Sequence, residues 1–356
     1  MRLLNVYLKV ENIVKIEHSM IQKTSAQPSL IVVGGGMTGL IAATLLQRQG
    51  LQVTVLDKGR GIGGRLATRR VRYTADADAF LGVFDYGTQY FSVKDRQFQP
   101  WVDDWLDHRI IKEWCRGFGQ SDHQPRYCGV EGTRGIAKYL AKDLNVSTST
   151  RVVKLHYDKQ WSVITQGDCT YTADILILTP PVPQSLTLLA DSAISLPPDI
   201  QTVLKKVSYD PCIAVLALLD KPSKIPAPGG IALDNHESLV WLGDNYQKGI
   251  SPEGYGATLH ATPDFSDRHW DWDNQEIAQK LFAAAAPWLG SDIIQYQVHR
   301  WRYSLPKTFY NSSCLALPQL SLIMAGDAFV APKIEGAVLS GIAAASVGKR
   351  LVEGKA

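Results

Sequence analysis

Apolar positions near the start of the chain follow two different periods. An apolar run at Leu30–Val33 predicts a buried strand, the spacing over Met37–Gln49 predicts a helix, and a second apolar strand ends at Leu56. Strand, helix and strand in this order open a doubly wound α/β domain. A buried strand at Asp174–Leu178 and a C-terminal helix at Ala337–Leu351 extend that domain.

Between these ends the pattern changes several times. The predicted elements are a β-like run over 85–93, helices at Phe98–His108 and about Gly135–Leu144, and strands at Val152–Tyr157 and Trp161–Thr165. Three prolines within Thr179–Gln184 then favour an extended crossover between domains, since proline and the residue before it avoid helix interiors.

The following section reads as a mostly antiparallel sheet covered by helices. Its predicted elements are strands at Ile213–Leu219, Ser238–Leu242, Gly256–Ala261 and Ile294–Tyr303, with a helix at Asn274–Ala286. Such a sheet suits a substrate domain. We therefore expect a Rossmann-type domain joined to a mixed or antiparallel-sheet substrate domain.

Length, net charge and cysteine content limit the partners and sites that this chain can be expected to have. The 356 residues are 45% hydrophobic and carry a formal charge of +3, so the chain can form two domains, and neither a nucleic-acid nor a membrane partner is expected. Five scattered cysteines without a CxxC spacing argue against disulfides and a metal site and favour a reducing, cytoplasmic location. Charged residues interrupt the first twenty positions, so we expect an N-terminal extension over residues 1–28 rather than a signal peptide.

The first glycine motif carries the most specific chemistry. Gly34, Gly36 and Gly39 form G-x-G-x-x-G between the first strand and its helix. The glycines permit a tight turn, close approach to a pyrophosphate and close helix packing, and the helix N-terminus at Met37 and Thr38 favours phosphate. Asp57 ends the second strand, where an acid accepts hydrogen bonds from a ribose.

The loop after Asp57 favours FAD over NAD. It reads GRGIGGR from Gly59 to Arg65, so its backbone can approach a diphosphate and Arg65 can span it bidentately. The nearby Arg69, Arg70 and Arg72 are interpreted as part of a solvated loop, with a role in holding phosphates as the alternative.

A second glycine motif near the C-terminus supports the same cofactor. Gly326 and Asp327 end a strand, where the carboxylate is placed to bind a ribityl hydroxyl. Glu335, Gly336 and Ala337 then begin a helix whose dipole favours the negative charge of reduced flavin. The complete set of predicted cofactor contacts is Gly34, Gly36, Met37, Thr38, Gly39, Asp57, Lys58, Gly64, Arg65, Gln89, Tyr90, Phe91, Val153, Gly326, Asp327, Glu335, Gly336 and Ala337.

Several longer segments resemble the renalase family within the flavin amine-oxidase superfamily. They are LDKGRGIGGRLATRR, DYGTQYF, GVEGTRGIAKYLAKDL, LHATPDFS, HRWRYS and GDAF…IEGAVLSG. The resemblance implies non-covalent FAD and a two-domain fold like that of p-hydroxybenzoate hydroxylase and the amine oxidases. It also implies an oxidase that converts 2- or 6-dihydro isomers of NAD(P)H to NAD(P)+ and makes hydrogen peroxide from oxygen.

The same segments suggest substrate-positioning residues. Trp301 is expected to wall the nicotinamide, His260 to hydrogen-bond its carboxamide, and Asn245 to assist, with no general base. Structural roles for all three remain open. Oxidation of an amine, desaturation of an isoprenoid, and a flavin-binding regulatory role with little turnover are the alternatives.

The resemblance and the element pattern together give expected domain boundaries. FAD-binding parts are expected at 29–95, 128–183 and 305–356, and substrate-domain parts at 96–127 and 184–304.

Overall fold

A six-stranded sheet forms the centre of the molecule. The computed structural model describes residues 27–75, 78–118 and 123–354. The strands are β1 (Ser29–Val33), β2 (Gln52–Leu56), β7 (Asn145–Ser147), β11 (Ile175–Leu178), β17 (Leu315–Leu317) and β18 (Leu322–Met324). Their order is β17-β18-β11-β1-β2-β7, parallel except for β17. The predicted doubly wound sheet is confirmed.

Side-chain alternation along β1 explains how this sheet is covered on both faces. Leu30 and Val32 lie on one face of the sheet and pack with helices α1 (Met37–Arg48) and α8 (Ile334–Glu353). Ile31 and Val33 lie on the opposite face of the sheet and pack with the buried residues there. A run that is apolar at every position is the pattern of a strand buried on both sides.

The other face of the central sheet meets a three-stranded antiparallel sheet. Its strands are β8 (Val152–Asp158), β9 (Gln160–Thr165) and β10 (Thr170–Ala173). Trp161 on β9 is fully buried there, and its indole N–H donates to the Leu320 carbonyl at 2.9 Å.

A five-stranded antiparallel sheet forms the second large layer. Its strands are β12 (Tyr209–Leu219), β13 (Gly230–Ala232), β14 (Leu239–Asp244), β15 (Tyr255–Ala261) and β16 (Ile293–Pro306), in the order β13-β14-β15-β12-β16. Helices α6 (Pro263–Arg268) and α7 (Asn274–Leu289) lie along it, and α7 packs on one face. The hairpin β3 (Thr68–Ala75) and β4 (Asp78–Asp85) packs on the opposite face through Val71 and Phe84.

The remaining elements connect these layers. They are β5 (Ile111–Arg116), β6 (Pro125–Gly129), α2 (Gln99–Asp107), α3 (Arg134–Leu140), α4 (Val182–Asp191) and α5 (Pro198–Leu204). Among the described helices, none combines the length and apolar character needed to cross a membrane. The expected domain boundaries stay a prediction, and residues 1–26 of the expected extension lie outside the described part of the chain.

Three local predictions are wrong. Helix α4 begins at Val182, inside the proline-rich stretch expected to be extended, because Pro183 lies in the first turn, where its missing N–H is not needed. The β-run expected over 85–93 does not form. Strand β4 ends at Asp85, and in the rest of this range only Phe91 forms a β-bridge, with Tyr127. Arg69, Arg70 and Arg72 lie on β3 rather than in a solvated loop.

Candidate cofactor and substrate cleft

A cleft of about 1090 Å³ lies at the carboxyl ends of the central strands. Gly34 and Gly36 follow β1, Asp57 follows β2, Thr179 follows β11 and Gly326 follows β18, and all five line it. Ligands of doubly wound sheets bind at this edge. The two glycine motifs from opposite ends of the chain therefore meet at one site.

The three glycines of the first motif differ in surroundings as their predicted roles require. Gly34 has φ +106°, a backbone conformation that favours glycine. A methyl group on Gly36 would have no heavy atom within 4 Å among the described residues, so its backbone is open to a ligand. One on Gly39 would collide with the Gly34 carbonyl, so that glycine permits helix packing.

Asp57 lines the cleft and also shapes its loops. Its Oδ2 accepts from the Gly35 N–H at 2.6 Å, and its Oδ1 accepts from the Gly59 N–H at 2.6 Å. A carboxylate oxygen retains a further lone pair, so a ribose hydroxyl can still be bound. Lys58 beside it donates to Gln184 Oε1 at 3.2 Å, and burial, then Arg151, lower the pKa of Lys58.

Arg65 and Asp327 form the direct link between the two glycine motifs. The Arg65 guanidinium donates to both oxygens of Asp327, at 2.7 and 2.8 Å, and to the Ser304 carbonyl at 3.0 Å. Both side chains line the cleft, as does Gly64. Because the guanidinium fork is committed to Asp327 in this structure, its bidentate contact with a diphosphate stays a prediction.

The N-terminus of α8 reaches the cleft one turn earlier than expected. The helix begins at Ile334 rather than Ala337, and both residues line the cleft. Glu335 instead accepts from the backbone N–H groups of Lys94 and Asp95, at 2.6 and 3.0 Å. A methyl group on Gly336 would collide with Ala331, so Gly336 permits a close turn rather than lining the cleft.

The remaining predicted cofactor contacts separate into two groups. Met37, Thr38 and Val153 line the cleft. Gln89, Tyr90 and Phe91 follow the cleft residue Thr88 but make other contacts. Gln89 Nε2 donates to the Asp85 carbonyl at 2.6 Å, Tyr90 joins a group of aromatic rings, and Phe91 packs on Phe98 and Trp105.

The three predicted substrate-positioning residues share one structural task. Trp301 Nε1 donates to the Tyr86 carbonyl at 2.9 Å, and His260 Nε2 lies 3.0 Å from the same oxygen. Asn245 is fully buried and its Oδ1 accepts from the Asp85 N–H at 3.4 Å. Their polar groups therefore fix the backbone of residues 85 and 86, and direct contact of each with a substrate stays a prediction.

Protonation of His260 follows from this contact. Since the partner is a carbonyl, Nε2 must carry the hydrogen, which assigns the neutral tautomer. Burial lowers the pKa of His260 to about 4, with a further lowering by Lys248 that the Tyr86 carbonyl partly opposes. His260 is thus neutral and a weak base near pH 7.

An aromatic wall stands on the side of the cleft formed by β16. Trp301 stacks on Tyr86 with ring centroids 5.3 Å apart, and His299 meets the Trp301 ring edge-on at 4.3 Å. Trp301 and His299 line the cleft. Burial, then Arg69, lower the pKa of His299 to about 4. Arg69 lies over the Tyr86 ring at 4.6 Å.

Sequence reasoning missed His299 and a buried ion pair. His299 was detectable, because it lies two residues before Trp301 on one strand and so shares its face. The pair joins Lys248 Nζ to Asp85 Oδ2 at 2.7 Å, with both side chains almost fully buried. Lys248 lies in a polar loop segment, so nothing in the sequence marks it as buried.

Two family matches cover most of the chain. Residues 32–108 match the NAD(P)-binding Rossmann-like domain, and residues 110–347 match the flavin containing amine oxidoreductases. Renalase from Mus musculus is 26% identical over 349 residues, covering 91% of this chain and 99% of that protein.

Solved structures of two oxidases share the fold. A putative protoporphyrinogen oxidase from Exiguobacterium sp. 255-15 has a TM-score of 0.60 at 14% identity and covers 91% of this chain and 99% of its own. Wild-type putrescine oxidase bound to putrescine has a TM-score of 0.61 at 14% identity, covering 90% and 99%. At this identity the likeness shows the two-domain architecture alone.

Proposed function

This chain belongs to the family of flavin-containing amine oxidoreductases, and on that premise we propose that it oxidises isomeric dihydronicotinamides, the 2- or 6-dihydro forms of NAD(P)H. The protein is an FAD-dependent oxidoreductase, and FAD supplies a hydride acceptor at its N5 atom. In the proposed reaction a ring carbon of the substrate gives up a hydride and NAD(P)+ leaves. Oxygen then takes up two electrons and two protons and leaves as hydrogen peroxide.

The cleft residues fit FAD. We propose that the open backbone at Gly36 and Gly64 approaches its pyrophosphate, that Asp57 binds the adenosine ribose, and that the α8 N-terminus faces its ring system. An exposed helix N-terminus stabilises nearby negative charge by roughly 0.3–1 kcal/mol. Non-covalent attachment stays a prediction, supported by the lack of cysteine between Gly326 and Gly341 in the sequence.

The observation that carries the proposed substrate is the aromatic wall of Tyr86, His299 and Trp301. A dihydronicotinamide releases hydride because its ring becomes aromatic, so it needs a flat slot and an oriented donor carbon rather than a strong base. The wall supplies flat rings, and its imidazole, with a pKa of about 4, is neutral near pH 7.

Charge beside the wall favours a dinucleotide over an amine. The guanidinium of Arg69 lies over the ring of Tyr86, which stacks on the cleft residue Trp301. A protonated amine at the wall would be repelled by this cation, whereas the phosphates of a nicotinamide dinucleotide would be attracted. This charge supports the proposal over amine oxidation.

Anaerobic reduction of the flavin tests the proposal. Purified yellow protein is mixed without oxygen with 2-dihydro- or 6-dihydro-NAD(P), and we expect rapid loss of flavin absorbance. Admission of air should restore the colour and release hydrogen peroxide. Putrescine and an L-amino acid serve as control substrates.

The control substrates also decide between the alternatives. Bleaching by an amine but not by the dihydronicotinamides would identify an amine oxidase. A flavin that none of these compounds reduces would support a binding or regulatory role.

A cytoplasmic location is proposed only on the cysteine pattern.

A further inference from the structure

Strand β16 presents an arginine to the cleft with its N–H groups unused. Arg302 lies on this strand, lines the cleft and is exposed. Its guanidinium carbon lies over the Trp270 ring, 3.7 Å from the ring centre. Over the residues that the structure describes, the Arg302 side chain has no hydrogen bond and no ion pair. Because a guanidinium donates from its edges, contact with a ring leaves its N–H groups open to a ligand.

The ring beside Arg302 is held in place by a neighbouring arginine. Arg300 donates to the Trp270 carbonyl at 2.7 Å. It also donates to Asn274 Oδ1 at 2.7 Å and to the Trp272 carbonyl at 2.6 Å. These bonds fasten the connection between α6 and α7 against β16. The Trp270 ring therefore restrains the Arg302 guanidinium through a cation–π contact, so less side-chain entropy is lost when a ligand binds.

Two other arginines near the aromatic wall already have polar partners. Arg69 donates to Gln297 Oε1 at 3.0 Å, and Arg65 is paired with Asp327 at 2.7 Å. Of these three guanidinium groups, the one of Arg302 has its donors unoccupied over the described residues. It is therefore the one of the three that is suited to bind a further anion.

The strand that bears Arg302 also bears the aromatic wall. β16 is an edge strand of the second sheet, and side chains alternate between the two faces along a strand. Trp301 and Arg302 are consecutive, so they lie on opposite faces, yet both line the cleft. The cleft therefore extends across the edge of this sheet. A ligand that begins at Trp301 can continue past the strand edge to Arg302.

A nicotinamide dinucleotide joins a flat ring to a charged pyrophosphate through a ribose. We propose that Arg302 binds the pyrophosphate of the dinucleotide substrate while the nicotinamide lies at Trp301. A guanidinium fork matches two phosphate oxygens in geometry and in charge. This assignment rests on the proposed function, and it names the group that favours a dinucleotide over an uncharged ring compound.

Binding of NAD+, the proposed product, to the FAD-loaded protein tests the assignment. Arg302→Gln removes the charge, and we expect the Kd for NAD+, followed by flavin absorbance, to rise about tenfold, the size of one lost charge-assisted hydrogen bond. Lys280→Gln is the matched control. Lys280 also lies over a ring of the same connection, that of Trp272 at 5.2 Å, but it is not among the described residues that line the cleft. This variant should change the Kd less than about threefold, and equal effects of the two variants would overturn the assignment.

Nicotinamide riboside separates the phosphate contact from a disturbed fold. It carries the ring and the ribose but no phosphate, so its Kd should differ less than about threefold between Arg302→Gln and the unaltered protein. Arg302→Lys should recover part of the affinity for NAD+, because the charge returns without the fork. A riboside that loses as much affinity as NAD+ in Arg302→Gln would contradict a phosphate contact.

Salt distinguishes a phosphate contact from stacking of the adenine. Dissolved ions screen exposed charges, so added salt should weaken NAD+ binding to the unaltered protein more than NAD+ binding to Arg302→Gln. The same salt dependence in both proteins would mean that the lost affinity comes from an uncharged contact, and the assignment would be wrong.

The two proposals fail in different ways. If dihydronicotinamides reduce the flavin but Arg302→Gln binds NAD+ as the unaltered protein does, only the assignment of Arg302 is overturned. If no dihydronicotinamide reduces the flavin and NAD+ does not bind, the proposed function and the assignment are both overturned.

Discussion

His260 and His299 show how position decides what a side chain does. Both are polar residues on strands of the second sheet, and burial lowers the pKa of each from 6.5 to about 4. The fold therefore holds them neutral, whereas the unfolded chain binds a proton below about pH 6.5. Their stabilising contribution is fully present above pH 6.5 and is lost as the pH falls through 4.

Melting temperature should report this loss. Between pH 6.5 and 4 the unfolded chain binds more protons than the folded protein. The Tm of the unaltered protein should therefore fall as the pH is lowered through this range. His299→Gln should lessen the decrease, and His156→Gln, at an exposed position on β8, should leave it unchanged. An identical pH dependence in all three proteins would contradict the assigned burial effect.

At the scale of elements, the cleft depends on contacts between segments that are distant in the chain. Thr38 on α1 donates to the Ala337 carbonyl on α8 at 2.9 Å, and a methyl group on Gly341 would lie 2.7 Å from the Thr38 carbonyl. Small residues thus let the two helices approach each other. The Arg65–Asp327 pair joins the loop after β2 to the segment before α8.

Asp327→Asn tests the ion pair. The change removes the negative partner from a partly buried guanidinium, so we expect a loss of roughly 1–3 kcal/mol in the free energy of unfolding and weaker FAD retention. Glu113→Gln breaks the exposed pair with Arg116 and should cost less than about 1 kcal/mol. Urea unfolding and the flavin content after gel filtration provide the measurements. Unchanged flavin retention in Asp327→Asn would contradict a role at the cofactor site.

At the scale of the molecule, one buried carboxylate joins three regions. Asp85 at the end of β4 accepts from Lys248 Nζ, while its other oxygen accepts from Thr68 Oγ1 at 2.6 Å and the Thr133 N–H at 2.8 Å. The pair therefore ties the loop after β14 to the hairpin and to the start of α3.

Removing one charge of the Lys248–Asp85 pair should lower the free energy of unfolding more than removing both charges. Lys248→Met leaves the Asp85 carboxylate buried without its cation, and we expect a loss of about 3–5 kcal/mol in the free energy of unfolding. Adding Asp85→Asn should recover part of that loss. Denaturant unfolding of the two single variants and the double variant gives the coupling. Additive losses would show that the pair is not energetically linked.

By itself, the sequence determined the elements whose period is long and regular. β1, α1, β2 and most strands of the second sheet were predicted because unbroken apolar runs and glycine spacing constrain the local backbone strongly. The residues at the ends of the parallel strands, from Gly34 to Asp57 and Gly326, follow from the same local rule.

Only the tertiary structure decided which polar groups remain available. Asn245, His260 and Arg65 are all suited to ligand binding by type, but their donors and acceptors are taken by Asp85, Tyr86 and Asp327. The Arg302 guanidinium, over the described residues, is left without a hydrogen-bond partner. Hydrogen-bond satisfaction depends on neighbours brought together by folding across more than a hundred residues, and a local pattern carries no information about them.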